Sequence, residues 1–138
     1  MSRFVVDVSV ALKWYAPEIY RLDAQRLRDH DHDLIAPDLF LLELANTFIK
    51  KVRRGEFPGD RVMPAMASAS HIVRVLPTRD RIARSVELAT TFGRTVYDAA
   101  YVAVALDQRC PLVTADRRLY DAIAPSLPQT MLWVEDVP

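Results

Sequence analysis

Short apolar runs alternate with longer stretches of helical periodicity along this chain. Phe4-Val5-Val6 closes on Asp7 and predicts a first strand over 3–7. A short helix follows over 9–15, stopped by Pro17, and Tyr20, Ala24 and Leu27 recur at helical spacing within 18–30. A second strand is expected over 33–36, ended by Pro37. Asp38 is placed to cap a long helix reaching about residue 54, with Leu41, Leu44, Ala45, Phe48 and Val52 on one stripe and Gly55 beyond it. A looser helix over 58–70 leads to a third strand at 72–76. Thr78 then opens a helix whose stripe is Ile82, Val86 and Ala89 and whose stop is Gly93. Thr95 caps another, running to about residue 109. A fourth strand at 112–114 precedes Asp116, the cap of a short helix to 124, and 131–134 predicts a short fifth strand.

Strands separated by helices imply an α/β fold: a short, mostly parallel sheet of four to five strands with helices on both faces. At 138 residues, with no repeat, linker or low-complexity stretch, the chain reads as one domain over 1–138, large enough for its own core. In such sheets ligands bind beyond the carboxyl ends of the strands, where strand order reverses. Asp7 and Asp116 stand at those ends of the first and fourth strands.

Composition narrows the chemistry. Cys110 is the only cysteine, which excludes an intrachain disulfide and a thiolate metal site; beside Pro111 it reads as a small buried hydrophobe. Basic and acidic residues balance at 18 each, so net charge points to no partner. Arginine predominates among the cations, and Lys50-Lys51 with Arg53-Arg54, Arg79-Arg81-Arg84 and Arg117-Arg118 form clusters that suit phosphate as well as solvent. The stretch before Asp7 is neither a signal peptide nor a membrane span, so the expected compartment is the cytoplasm.

Four acids sit where a folded domain would otherwise place apolar or neutral residues: Asp7 and Asp116 at strand ends, Glu43 within Leu41-Leu42-Glu43-Leu44-Ala45, and Asp98 within Tyr97-Asp98-Ala99-Ala100-Tyr101. Each has a local explanation. Asp7 suits a turn, Asp116 an N-cap, Asp98 a short-armed capping box with Thr95, and Glu43 a polar stripe with Asn46, Thr47 and Lys50. Jointly a shared site accounts for them better. The helix after Thr95 is otherwise small and apolar, so it packs on the sheet with its opening over the strand ends. Ser9 and Thr114, each two residues from an acid, can orient the carboxylates. Clustered carboxylates raise one another's pKa unless a cation shares them. Hard oxygen donors select Mg2+ or Mn2+ over zinc, and with such an ion comes phosphate chemistry. The His30-Asp31-His32-Asp33 run is read as a solvated turn rather than a metal tract. Trp14, Tyr97 and Tyr101 are read as packing residues.

The segments Val5-Val6-Asp7-Val8-Ser9, Glu43-Leu44-Ala45-Asn46, Tyr97-Asp98-Ala99-Ala100-Tyr101-Val102-Ala103 and Leu112-Val113-Thr114-Ala115-Asp116, in this order and over nearly the whole chain, resemble the PIN-domain ribonucleases, specifically the VapC toxins of bacterial toxin–antitoxin pairs. The resemblance implies a three-layer PIN-like sandwich and a metal-dependent endoribonuclease. It also implies a homodimer and inhibition by a cognate antitoxin whose C-terminal segment fills the acidic groove. Carried over, Asp7, Glu43, Asp98 and Asp116 become the catalytic, metal-binding acids, with Ser9 and Thr114 supporting them, and water attacks in line to leave a 5′-phosphate. Lys50 and Arg53, or Arg117 and Arg118 beside Asp116, are the candidates for holding flanking RNA phosphates.

Rival readings fail on named residues. A haloacid-dehalogenase-type phosphatase needs a second acid where Ser9 stands. A receiver domain needs a late-strand lysine, and the only lysines are Lys13, Lys50 and Lys51. The remaining alternative is a catalytically weak PIN-fold module that binds RNA or antitoxin.

Overall fold

The computed structural model describes residues 2–138. Among these, five strands form: β1 (Ser2–Val6), β2 (His32–Pro37), β3 (Val73–Leu76), β4 (Leu112–Thr114) and β5 (Met131–Trp133). Seven helices separate or flank them: α1 (Val8–Ala11), α2 (Arg21–Asp29), α3 (Phe40–Arg53), α4 (Val62–Ile72), α5 (Ile82–Phe92), α6 (Val96–Gln108) and α7 (Arg117–Ile123). The sheet runs β3-β2-β1-β4-β5 with every neighbouring pair parallel. The fold is the three-layer α/β sandwich that the alternating pattern predicts.

Because helices cover the sheet, its central strands are apolar on both sides. Phe4, Val5 and Val6 of β1 are all buried, as are Leu112 and Val113 of β4. Helix α6 packs on β1, β2 and β4, and its run from Ala99 to Ala105 is buried throughout. Small side chains allow that close approach of helix to sheet. The chain steps outward from β1 to β2 to β3, then returns to β4 on the other side of β1. Strand order therefore reverses between β1 and β4, and the residues leaving those two strands are Asp7 and Ala115-Asp116.

Several expected boundaries shift, each for a tertiary reason. Tyr20 stands outside α2 in a left-handed conformation (φ +65°), with its ring edge on Trp133 at 5.7 Å, so the helix starts at Arg21. Asp38 does not cap α3. It ties the exits of β2 and β3 together, accepting from the Thr78 hydroxyl at 2.9 Å and donating its N–H to Leu76 O at 2.9 Å. A single 3-10 turn at Arg79–Arg81 separates Thr78 from α5. The apolar stripe expected on α5 faces outward instead: Ile82 is 56% and Val86 48% exposed, while Ser85 and Leu88 are buried. His32 is not part of a solvated turn. It begins β2 with its ring edge-on to Phe4 at 4.9 Å, and both ring nitrogens are buried without a hydrogen-bond partner.

Candidate active site

The strand side of the site is built from register. Val6 pairs with Val113 in the parallel β1–β4 ladder, so one step further Asp7 comes level with Thr114. The Thr114 hydroxyl donates to Asp7 Oδ2 at 2.5 Å, and the Ser9 hydroxyl donates to Asp7 Oδ1, also at 2.5 Å. Each hydroxyl also accepts a backbone N–H from the exit of β4: Ser9 Oγ from Ala115 at 2.9 Å, Thr114 Oγ from Asp116 at 3.1 Å. The single proton of each hydroxyl is thereby committed to Asp7, and the two strand exits are stapled together. Asp7 also caps α1, accepting the Val10 N–H at 3.2 Å. Asp116 caps α7 through Oδ1, which takes the N–H groups of Arg118 and Leu119 at 3.0 and 3.2 Å. The cap and turn explanations for these two acids are thus correct, and they serve to orient the carboxylates.

The helix side is held differently. Glu43 does not point to solvent. Tyr101 on α6 donates its hydroxyl to Glu43 Oε1 at 2.6 Å, joining α3 to α6. Thr95 Oγ caps α6 by accepting the Asp98 N–H at 3.0 Å. The Asp98 carboxylate turns to Arg94, whose Nη2 and Nε reach Oδ2 at 2.9 and 3.3 Å. All four acids line one small cavity of about 120 Å³, together with Val8, Ser9, Tyr101 and Leu119.

Burial sets the electrostatics. Desolvation pushes the Asp7 carboxyl up to about 6, against the hydrogen bonds from Ser9, Thr114 and Val10, and the nearby Asp116 charge adds to the rise. Glu43 is also raised, first by burial and then by the Asp98 charge, with the Tyr101 hydroxyl opposing. The Tyr101 phenol is driven far above its ordinary value by burial and by the acids around it, so it is a proton donor throughout.

These residues fit a hard dication. The donors are carboxylate oxygens, and the buried Asp7 is a group whose ionised form a cation would stabilise. Among the described residues, no three His, Cys, Asp or Glu side chains converge closely enough to hold an ion by themselves. Asp98 is engaged by Arg94 and Glu43 by Tyr101. The set therefore suits a magnesium-type ion that keeps several of its waters rather than a closed protein cage.

The basic candidates lie apart from the acids in different degrees. Arg117 and Arg118 follow Asp116 directly and are exposed. The Arg117 guanidinium lies 3.8 Å from the centre of the Trp133 ring, which holds it against β5. Lys50 and Arg53 are exposed on α3, seven and ten residues past Glu43, or roughly 10 and 15 Å along the helix axis. Trp14 is buried, with its indole N–H on Ala24 O at 2.8 Å, as expected of a packing residue. Tyr97, expected to pack, is exposed instead, whereas Tyr101 is buried as expected, and its bond to Glu43 makes it part of the site as well. Arg94 joins the site through Asp98, a role the sequence pattern does not announce. The one sequence signal for it is its i,i+4 spacing to Asp98.

Comparison with known proteins bears directly on this arrangement. The model of the PIN domain family matches residues 4–124, a span that includes all four acids. The chain belongs to the PIN-domain family. Its relatives include Ribonuclease VapC3 of Pyrobaculum aerophilum, 32% identical over 120 residues, covering 85% of this chain and 92% of that protein. Among solved structures, PAE2754 from Pyrobaculum aerophilum superposes with a TM-score of 0.72 at 22% identity, covering 97% of this PIN domain and 85% of that chain. Mycobacterium tuberculosis VapC20, a sarcin-ricin loop cleaving toxin, gives 0.65 at 22% identity over 87% of this chain and 95% of its own. A toxin–antitoxin complex from Klebsiella pneumoniae gives 0.62 at 14% identity, covering 96% and 98%. The PIN domain of this chain is thus similar to VapC proteins in sequence and fold. No described helix is long and apolar enough to cross a membrane.

Proposed function

We propose that this PIN domain, a single domain over 1–138, is a Mg2+- or Mn2+-dependent endoribonuclease acting in the cytoplasm as the toxin of a toxin–antitoxin pair. A cognate antitoxin holds it inactive. The observation that carries this reading is the convergence of Asp7, Glu43, Asp98 and Asp116, from four separate elements, on one cavity where strand order reverses. The relatives named as a ribonuclease, as an RNA-loop-cleaving toxin and as a toxin–antitoxin complex support the same reading.

The four acids would hold the ion in part through waters it retains, and when bound it supplies positive charge against the phosphate and lowers the pKa of a water. Ser9 and Thr114 keep both Asp7 oxygens aimed by spending their only protons there. Tyr101 keeps Glu43 turned inward from α3. Asp116 is held by its two helix N–H groups, leaving Oδ2 to the cavity. Arg117 and Arg118, with Lys50 and Arg53 further along α3, hold RNA phosphates on either side and offset the repulsion between acids and RNA. The active form is a homodimer, and the exposed apolar residues Ile82, Val86, Val96 and Tyr97 supply a face that it can bury.

The test is RNA cleavage with Mg2+ or Mn2+, comparing wild type with Asp7→Asn and Asp98→Asn. Cleavage should stop in chelator and in both variants. A wild type that binds RNA but cuts it in neither metal makes the protein a binding module. Variants that cut as well as wild type refute the site assignment.

A further inference from the structure

The α5–α6 junction carries a charge that the acid constellation does not explain. Gly93 ends α5 at φ +63°, and the Arg94 N–H closes on Ala89 O at 3.1 Å, so Arg94 is pinned between the two helices. From there its side chain gives two N–H groups to one oxygen of a cavity-lining acid, Asp98 Oδ2. Both side chains are only about a quarter exposed, at 24% and 29%. The pair is therefore neither a loose surface bridge nor fully desolvated.

Two cations cannot share that oxygen at full strength. A guanidinium with two bonds to Oδ2 takes that oxygen and offsets the charge that a dication would use, leaving only Oδ1 without a hydrogen bond. A dication therefore gains the whole Asp98 carboxylate and its full charge only when Arg94 lets go of it. The released guanidinium stays tethered at the mouth of the cavity, where RNA must bring a phosphate, and its planar fork matches two phosphate oxygens. We propose that Arg94 is the resident counter-ion of the acidic site: it pairs with Asp98 until a divalent ion takes that carboxylate, and then binds a phosphate of the RNA. This rests on the metal-dependent reading above. A bridge that merely braced the α5–α6 turn would leave metal affinity unchanged.

The experiment titrates Mn2+ into wild type, R94Q and R94K without RNA, following free Mn2+ by electron paramagnetic resonance. Circular dichroism confirms that the variants are folded. Removing the competitor should tighten Mn2+ binding in R94Q by up to about fivefold, as suits a partly exposed ion pair. R94K, which keeps the charge with fewer donors, should fall between R94Q and wild type and covers the case in which R94Q fails to fold. Fluorescence anisotropy with a single-stranded RNA oligonucleotide in Ca2+ supplies the second readout. R94Q should bind more weakly, with a salt dependence shallower by about one phosphate contact. Mn2+ affinity equal to or below wild type in R94Q overturns the proposal, and so does unchanged RNA affinity. A wild type that binds no Mn2+ overturns the metal reading itself, a result distinguishable from failure of the counter-ion role alone.

Discussion

Asp7 and Asp98 line the same cavity but are held in opposite ways. Asp7 is 7% exposed, clamped by two hydroxyls and a backbone N–H, with no cation in contact among the described residues. Asp98 is partly exposed and neutralised by Arg94. The strand side therefore stores an unbalanced buried charge in a rigid cradle, while the helix side keeps its charge balanced and able to change partner. In the proposed metal site, Asp7 is a ligand already in position that gains from a cation, and Asp98 is one that Arg94 gives up to it.

The largest expected effect concerns charge at these two positions. Asp7→Asn and Asp98→Asn should each lower RNA cleavage by on the order of 10²- to 10³-fold. Their stabilities in chelator should diverge. The folded pKa of Asp7, about 6, lies above its ordinary value of 3.8, so the folded state binds the proton more tightly. Stability from this group is fully present below about pH 4 and is lost as pH rises to about 6, amounting to about 3 kcal/mol. Asp7→Asn should accordingly be more stable than wild type at pH 7.5 by about 1–3 kcal/mol, in urea melts, and should lack the decline between pH 4 and 6. Asp98→Asn should change stability by less than about 1 kcal/mol. Similar melts for the two variants would break the contrast between the two sides.

Next in size is the support of each side. Thr114 is fully buried and links Asp7 to the Asp116 backbone, so Thr114→Val should lower cleavage by about 10- to 100-fold and cost about 1–3 kcal/mol. Tyr101→Phe removes one bond to the more exposed Glu43 and should cost about 1 kcal/mol, with a smaller loss of cleavage. The reverse order would mean that the helix side, not the strand side, is the rigid half. The smallest effect on the fold is expected at Ile82→Glu, outside both halves. Monomer stability should stay within about 0.5 kcal/mol, while sedimentation should show loss of the proposed dimer.

The contrast also explains which features are legible in the sequence. Strand ends are legible because apolar runs stop at them, and parallel register then places Asp7 beside Thr114 and Asp116. The caps at Thr95 and Asp116 are local chemistry and appear where the pattern puts them. Periodicity shows which residues share a face but not which face meets the core, and so Ile82 and Val86 of α5 point outward while Ser85 and Leu88 are buried. Asp38 reads as a cap in the sequence because its partner, Thr78, is 40 residues away. Arg94 and the Tyr101 hydroxyl carry no pattern of their own. Their roles arise only when α3, α5 and α6 meet.

The central claim is that four acids from four elements form one metal site. It is tested most directly by Mn2+ binding to wild type and to Asp7→Asn, Glu43→Gln, Asp98→Asn and Asp116→Asn at neutral pH. Each variant should bind at least about tenfold more weakly than wild type. Wild-type affinity in any of the four would remove that residue from the site, and in Asp7→Asn it would contradict the account as a whole.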